Sequence, residues 1–190
     1  MEKADRRDLD AVIAGCKRGD SESFSRLIDA YGSRLYGFFY RLSGDKTTSD
    51  DLLSELFVKL VEKIRHYRGG HFDAWLFTVA NNIWRDSLRA RLRHDKALEG
   101  RKAQLEIDAK KERISGLEAD MIDRLSRELE NIEQDSRELI ILRYYSQMSF
   151  KEIAETQGMP IGTVLSKVHR GLAKLRELMG SSTEQHKDEQ

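Results

Sequence analysis

The sequence predicts an all-α protein, built from two helical domains joined by a polar linker. Its 190 residues contain a single proline, whereas the average usage of about 5% would give roughly ten. Apolar residues recur at the three- and four-residue spacing of amphipathic helices in two stretches of the chain. Between these stretches, from about residue 95 to residue 116, Lys, Arg, Glu and Gln dominate, which predicts the linker.

Composition and charge narrow the classes of function. Lys and Arg together number 33, as do Asp and Glu, so the net charge is zero and any nucleic-acid binding must be local. No signal-peptide core and no run of the ~18 apolar residues needed for a membrane span is found. We therefore expect a cytoplasmic protein without membrane insertion. The single cysteine, Cys16, shares helical spacing with Leu9, Val12 and Ile13, which predicts a core thiol.

The first domain is predicted to span residues 8–94. Its first two amphipathic helices are separated by the break at Gly19 and Asp20. A third helix is predicted to begin at a capping box formed by Thr48 and Asp51. The apolar residues of this helix step by four and three, which places one set toward the core: Leu53, Phe57, Leu60, Ile64 and Tyr67.

A fourth helix is predicted from Phe72 to Leu92. At 100° per residue, five of its residues share an arc that faces the core: Phe72, Leu76, Val79, Ala80 and Ile83. The opposite face aligns a hydroxyl, an amide and two guanidiniums, at Thr78, Asn82, Arg85 and Arg89. Taken alone, this polar stripe is explained equally well by an ordinary solvated surface.

The second domain is predicted to span residues 117–179. Apolar periodicity resumes at Leu117, after the linker of residues 95–116, and continues through Ile132. Residues 180–190 lack apolar anchors, which predicts a disordered tail.

A helix-turn-helix pattern lies within this second domain. A capping box begins at Ser149, Gly158 fits a left-handed C-cap, and Pro160 suits the first turn of the next helix. Ala154, Gly158 and Val164 supply the small residue, the turn and the core residue at the spacing of four and six that this motif needs. The outer face of the second helix carries hydroxyls and cations that suit phosphates and base edges: Thr163, Ser166, Lys167, Arg170 and Lys174.

Together these segments resemble a group-four, extracytoplasmic-function sigma factor of the sigma-70 family, a two-domain initiation subunit of bacterial RNA polymerase. The resemblance extends from about Leu9 to Met179. Sigma domain two is similar to GDSESFSRLIDAYGSRLYGFFYRLSGD, SDDLLSELFVKLVEKIRHYRG and FDAWLFTVANNIWRDSLRARLR. Sigma domain four is similar to RELIILRYYSQMSFKEIAETQGMPIGTVLSKVHRGLAKLREL. The resemblance implies promoter recognition and DNA melting within the polymerase holoenzyme, without covalent catalysis by this chain.

The resemblance implies that the third helix binds core RNA polymerase. The family pattern Asp-Leu-x-Gln-Glu-x-Phe is matched by Asp51, Leu52, Glu55 and Phe57, with Ser54 in place of the glutamine. In the family this helix docks on the clamp of the β′ subunit, and an exposed Glu55 can pair with arginines there. The implied partners are the β′ and β subunits of the core enzyme and promoter DNA, with an anti-sigma factor as a further candidate.

The resemblance also implies that the fourth helix and the loop before it read the opened minus-ten element. The family track Ala-Arg-Asn-x3-Asp-x2-Arg maps onto Ala80, Asn82, Asp86 and Arg89, with Asn81 where arginine is common. Opened DNA needs cations along its backbone, amides for base edges and a pocket for a flipped base. The residues predicted to contact this element are His71, Thr78, Asn81, Asn82, Arg85, Asp86 and Arg89.

The second helix of the helix-turn-helix is expected to enter the major groove of the minus-thirty-five element. Leu165 stands where the family often has Lys or Arg, and it either joins the core or touches a thymine methyl group. The residues predicted to contact this element are Thr163, Leu165, Ser166, Lys167, Arg170 and Lys174.

Two other classes of function compete with this interpretation. One is a stand-alone operator-binding regulator, which would need a basic footprint that the zero net charge does not supply. The other is a helical adaptor that binds only protein, which would leave the Asn82, Arg85 and Arg89 stripe without a purpose. The single histidines, including His66 and His94, lack paired ligand spacing, and no enzyme motif is found. We therefore expect no catalytic residue, metal or cofactor.

Overall fold

The computed structural model describes residues 3–99, 124–125 and 127–184, and these residues form helices joined by turns. No strand occurs in this described part of the chain. The predicted all-α fold class is therefore confirmed. In the same described residues, none of the helices is both long and apolar enough to cross a membrane.

The chain divides into two compact units. Of the described residues, 3–39 and 46–99 belong to the first unit. Residues 124–184 belong to the second, together with residues 40–45. Most of the predicted linker, from residue 100 onward, lies outside the described residues.

Four α-helices and a short 3-10 helix form the first unit, except that the last four residues of the second helix belong to the other unit. They are α1 (Lys3–Arg18), α2 (Ser21–Ser43), α3 (Lys46–Lys63), the 3-10 helix Ile64–His66, and α4 (Phe72–Glu99). The predicted break between the first two helices is confirmed. There Asp20 Oδ2 accepts hydrogen bonds from the backbone N–H and the hydroxyl of Ser23, which lower the pKa of Asp20.

The start of α3 differs from the sequence prediction. The helix begins at Lys46, so Thr48 lies inside its first turn rather than at the N-cap. The Thr48 hydroxyl instead accepts a hydrogen bond from Arg91 Nη2 at 2.9 Å. The predicted capping box is therefore wrong, because this hydroxyl bonds to a side chain of α4.

The core-facing register of α3 also differs. Leu52, Leu56 and Leu60, spaced by four, are the deeply buried leucines, whereas Leu53 and Phe57 are only half-buried. Apolar residues occur on nearly every side of this helix, so periodicity alone does not fix which side packs inward. The prediction was correct for Leu60 and for the continuation of the core stripe into Ile64 and Tyr67.

An aromatic cluster packs in the centre of the first unit. The rings of Phe38 and Phe77 meet edge to face with centroids 5.3 Å apart, and Phe39 lies 5.6 Å from Phe38. Such pairs add about 0.5–1.5 kcal/mol beyond their area burial. Cys16 is also buried, and burial raises the pKa of its thiol, which confirms the predicted core thiol.

The second unit contains the predicted helix-turn-helix. Its elements are α5 (residues 124–125 and 127–130), α6 (Gln134–Ile140), a π-helical turn Ile141–Tyr145, α7 (Phe150–Gln157) and α8 (Ile161–Glu184). Ser149 and Glu152 form the predicted capping box of α7. Gly158 ends α7 in the left-handed region with φ of 62°, as predicted. Pro160 lies one residue before α8, and its carbonyl accepts from the N–H groups of Thr163 and Val164.

Helix α8 packs closely against α6. Val164 is buried as predicted, Val168 is buried one turn further on, and Leu172 and Leu175 are half-buried. A Cβ placed on Gly171 would lie 2.7 Å from the Ile140 side chain, so this glycine allows the two helices to approach. The helix continues to Glu184, so the predicted disorder of residues 180–190 is wrong for residues 180–184, which extend α8. Residues 185–190 lie outside the described residues.

Candidate functional site

One face of α3 carries most of the residues predicted to bind polymerase. Asp51, Ser54 and Glu55 are exposed on it, and Glu55 Oε1 pairs with Lys59 Nζ at 2.5 Å. Leu52, by contrast, is buried in the core, so its side chain is not available to a partner. Phe57 is half-buried against α2, so part of its ring remains accessible on this helix.

The same face of α3 exposes two valines that the sequence analysis did not single out. Val58 is 71% exposed and Val61 is 45% exposed. Val58 follows Ser54 and Val61 follows Val58 by one helical turn, so the face combines carboxylates with apolar side chains. A helical projection centred on Asp51, rather than on the apolar residues, would have found them.

The outer face of α4 keeps part of the predicted polar stripe. Asn82, Asp86 and Arg89 are exposed, and Arg85 is half-buried. Arg89 Nη1 pairs with Asp86 Oδ1 at 3.0 Å, between two side chains that are each largely exposed. Thr78 is half-buried, and its hydroxyl donates to the Ala74 carbonyl at 2.7 Å.

Asn81 does not belong to this exposed stripe. Its side chain is completely buried in the first unit, together with neighbouring residues Ala80 and Ile83 of the core-facing arc. The predicted contact between Asn81 and DNA therefore does not fit the structure. At 100° per residue Asn81 lies beside Ala80, and the observed core arc is wide enough to include it.

The loop before α4 is fixed by aromatic residues. The Tyr67 ring lies 5.2 Å from Phe72 and 5.1 Å from Trp75, measured between centroids. The Tyr67 hydroxyl donates to the Gly70 carbonyl at 3.0 Å, and Lys17 Nζ donates to the Tyr67 carbonyl at 2.6 Å. The loop is thereby anchored at its start and at its junction with α4.

His71 is exposed within this loop. Its Nε2 lies 3.9 Å from Asp73 Oδ2, and Asp73 also accepts from Arg34 Nη1 at 3.4 Å. His71 therefore stands beside a carboxylate at the start of α4.

Helix α8 places Leu165 outside the core. Its side chain is 45% exposed, on the flank of the helix away from buried Val164. Of the two positions that the sequence left open for Leu165, the core and the surface, the structure shows the surface. Ser166 and Arg170 are also exposed, whereas Thr163 is half-buried.

Lys167 does not point freely outward as the sequence analysis expected. Its Nζ pairs with Asp135 Oδ2 of α6 at 2.5 Å, and only 18% of its side chain is exposed. Lys174, one turn beyond Arg170, pairs with Glu177 at 3.1 Å. The Ser166 hydroxyl donates to the Thr163 carbonyl at 2.9 Å. The cations of this helix therefore differ in how accessible they are to a partner, with Lys167 the most covered.

The described residues contain no group of three or more His, Cys, Asp or Glu side chains arranged to hold a metal ion. The candidate surfaces consist instead of exposed faces of α3, α4 and α8. Such faces are suited to binding macromolecules.

Comparisons with known proteins match both halves of the chain. The family model described as Sigma-70 region 2 matches residues 27–94, and Sigma-70, region 4 matches residues 122–175. CarQ, an RNA polymerase sigma factor of Myxococcus xanthus, is 31% identical over 165 residues, which cover 85% of this chain and 92% of CarQ. The chain belongs to the extracytoplasmic-function sigma factors of the sigma-70 family. It is an alternative sigma factor, a regulatory subunit for transcription initiation by RNA polymerase.

Other members of the family are similar in sequence and in structure. SigE of Mycolicibacterium smegmatis, an extracytoplasmic-function sigma factor, is 30% identical over 162 residues. That match covers 83% of this chain and 62% of SigE. The sigma factor RpoE of Bartonella quintana, solved with the anti-sigma factor NepR, shares the fold with a TM-score of 0.69 and 26% identity. The match covers 84% of this chain and 98% of RpoE.

Proposed function

We propose that this sigma factor binds core polymerase through α3, opens the minus-ten element with α4 and holds the minus-thirty-five element with α8. The main support for assigning separate roles to these helices is that one chain has both a polar face on α4 and a helix-turn-helix that ends in α8. The proposed domains are residues 8–94 and 117–179. In support, the matched region 2 lies inside the first domain and the matched region 4 lies inside the second. The chain performs no covalent catalysis of its own.

The contact with polymerase is centred on the exposed face of α3. Asp51 and Glu55 supply carboxylates that suit basic residues of the β′ clamp, and Val58 and Val61 supply apolar area beside them. Interfaces commonly combine an apolar centre with charged residues that fix orientation. The Glu55–Lys59 pair is half exposed, so Glu55 can exchange this partner for a cation of the clamp at small cost.

The contact with the minus-ten element lies on α4 and the loop before it. Asn82 offers an amide for base edges, and Arg85 and Arg89 offer cations that can follow the backbone of a single strand. Arg89 must exchange Asp86 for a phosphate, which is inexpensive because both side chains are largely exposed. The aromatic anchors Tyr67 and Phe72 hold the loop in a fixed place for an unstacked base.

Two further features of the proposal follow from the family. RpoE of Bartonella quintana is held by an anti-sigma factor in its solved structure, which supports a partner of this class for the present chain. Because the chain is proposed to act with RNA polymerase, the proposal includes a cytoplasmic location, where bacterial transcription takes place.

Promoter opening by variants of α4 tests the proposed function. Polymerase reconstituted with Asn82→Ala or Arg89→Ala should bind promoter fragments in the closed state, but give weaker permanganate reactivity of unpaired thymines. Arg18→Ala, which removes an exposed arginine from α1, is the matched control and should melt DNA normally. Normal melting by both α4 variants would contradict the role proposed for this helix.

A further inference from the structure

The first turns of α8 present apolar side chains to the surface. Ile161 is 49% exposed and Leu165 is 45% exposed, and they are four residues apart on the same flank of the helix. Between them, Gly162 has open space in the direction that a Cβ would take. An apolar surface therefore covers the amino-terminal end of the helix, which is the end that reaches base edges in helix-turn-helix proteins.

Two polar side chains near this end of α8, Ser166 and Lys167, bond within the protein. Lys167 pairs with Asp135 and is largely covered, and the Ser166 hydroxyl donates to the Thr163 carbonyl. The exposed Arg170 lies more than one turn beyond Leu165. Cations suited to phosphates are thus displaced toward the later turns, while the leading turns offer apolar contacts.

We propose that Ile161 and Leu165 read thymine methyl groups in the major groove of the upstream promoter element. The inference rests on the proposed function and adds the chemistry by which this surface selects sequence. The 5-methyl group of thymine is the apolar feature that base pairs present in the major groove, and apolar side chains recognise it by contact. An arginine at position 165 would instead favour guanine, which presents two acceptors to a guanidinium.

Deoxyuridine substitution tests this proposal at the level of single methyl groups. Holoenzyme containing the full chain is first used to select upstream elements from randomised promoter fragments. Each thymine of a selected element is then replaced by deoxyuridine, which pairs like thymine but lacks the methyl group. We expect affinity to fall about fourfold at one or two positions, as for the loss of one buried methyl-sized group, and to be unchanged at the others.

Variants assign the effect to the two side chains. With Leu165→Ala, the thymine and deoxyuridine fragments should bind equally at one position, and with Ile161→Ala at the other. Both residues are exposed, so the substitutions leave the core of the second unit intact. Ile28→Ala, which removes an exposed apolar side chain from α2, is the matched control and should retain the full methyl dependence.

The outcomes separate this inference from the proposed function. Selected elements that bind without dependence on any thymine methyl group would overturn the inference alone. Weaker association of Leu165→Ala with core polymerase, at unchanged DNA affinity, would assign the surface to a protein partner and overturn it as well. If no sequence were enriched at all, the inference and the proposed function would both be contradicted.

Discussion

Single side chains decide which parts of the predicted DNA surfaces are available. Lys167 falls on the outer side of α8 in a helical projection, but Asp135 of α6 holds its ammonium. These residues are 32 positions apart in sequence, so no local pattern predicts the pair. Local sequence pattern also fails to predict the environment of Asn81, because only the packing of α4 reveals that its amide is buried.

The Lys167–Asp135 pair predicts different effects for neighbouring cations of α8. Lys167→Ala should lower the free energy of unfolding by at most about 1 kcal/mol and leave base preference unchanged, because the pair is partly exposed. Arg170→Ala should weaken binding to all promoter sequences and reduce the salt dependence by about one counterion. Holoenzyme binding isotherms on single-base variants at several salt concentrations measure both. An altered base preference in Lys167→Ala would contradict this assignment.

Charge reversal on α3 tests the proposed polymerase contact. Glu55→Arg should weaken association with core polymerase by about 2 kcal/mol, because it would place like charges together in an interface. Its fold should remain intact, since the residue is exposed. Asp10→Arg on α1 makes the same charge change at another exposed site and serves as the control. Equal affinity of both variants and the unchanged chain in a titration of labelled core enzyme would exclude Glu55 from the interface.

Whole helices were predicted more reliably than their ends and registers. The capping box at Ser149 and the left-handed Gly158 follow from local chemistry, and both are present in the structure. Helix α3 was predicted with its start at Thr48 and with Phe57 on the core side, because local signals and apolar residues were ambiguous there. Tertiary packing, which the sequence does not display directly, resolves such ambiguities.

Because α6 and α8 are in close contact, we expect replacement of Gly171 by alanine to lower the stability of the protein, although alanine normally stabilises a helix. Alanine is favoured over glycine in helices by about 1 kcal/mol. At Gly171, however, a new Cβ would lie 2.7 Å from Ile140 Cδ1 and 3.1 Å from Ser136 Cβ. Overpacking costs about 1–3 kcal/mol, so Gly171→Ala should destabilise the protein by about 1 kcal/mol net.

Gly180 offers a matched control on the same helix. It has no neighbouring atom within 4 Å of the position that a Cβ would take, so Gly180→Ala should be neutral or slightly stabilising. Urea unfolding followed by circular dichroism would compare the midpoints of the two variants. A higher midpoint for Gly171→Ala than for the unchanged chain would show that α6 and α8 are not closely packed there.

In the whole molecule, the order of the two domains is the feature that identifies the sigma factor family. A helix-turn-helix alone occurs in many regulators, but a preceding helical domain with the α3 and α4 patterns is specific to this family, and the matched regions fall on both. The exposed Val58 on α3 was not predicted, because apolar periodicity directs attention to the core. The surfaces that partners bind are thus the least predictable part of the molecule.

We propose above that this chain directs core polymerase to promoters and opens them. Run-off transcription with purified core polymerase, over a library of promoter fragments, tests it most directly. We predict that adding the chain yields transcripts from a subset of fragments that share upstream and downstream elements at a fixed spacing. Core polymerase alone should not produce these transcripts. Sequence-specific DNA binding by the isolated chain, with no transcripts in the presence of core polymerase, would contradict this function and favour a stand-alone regulator.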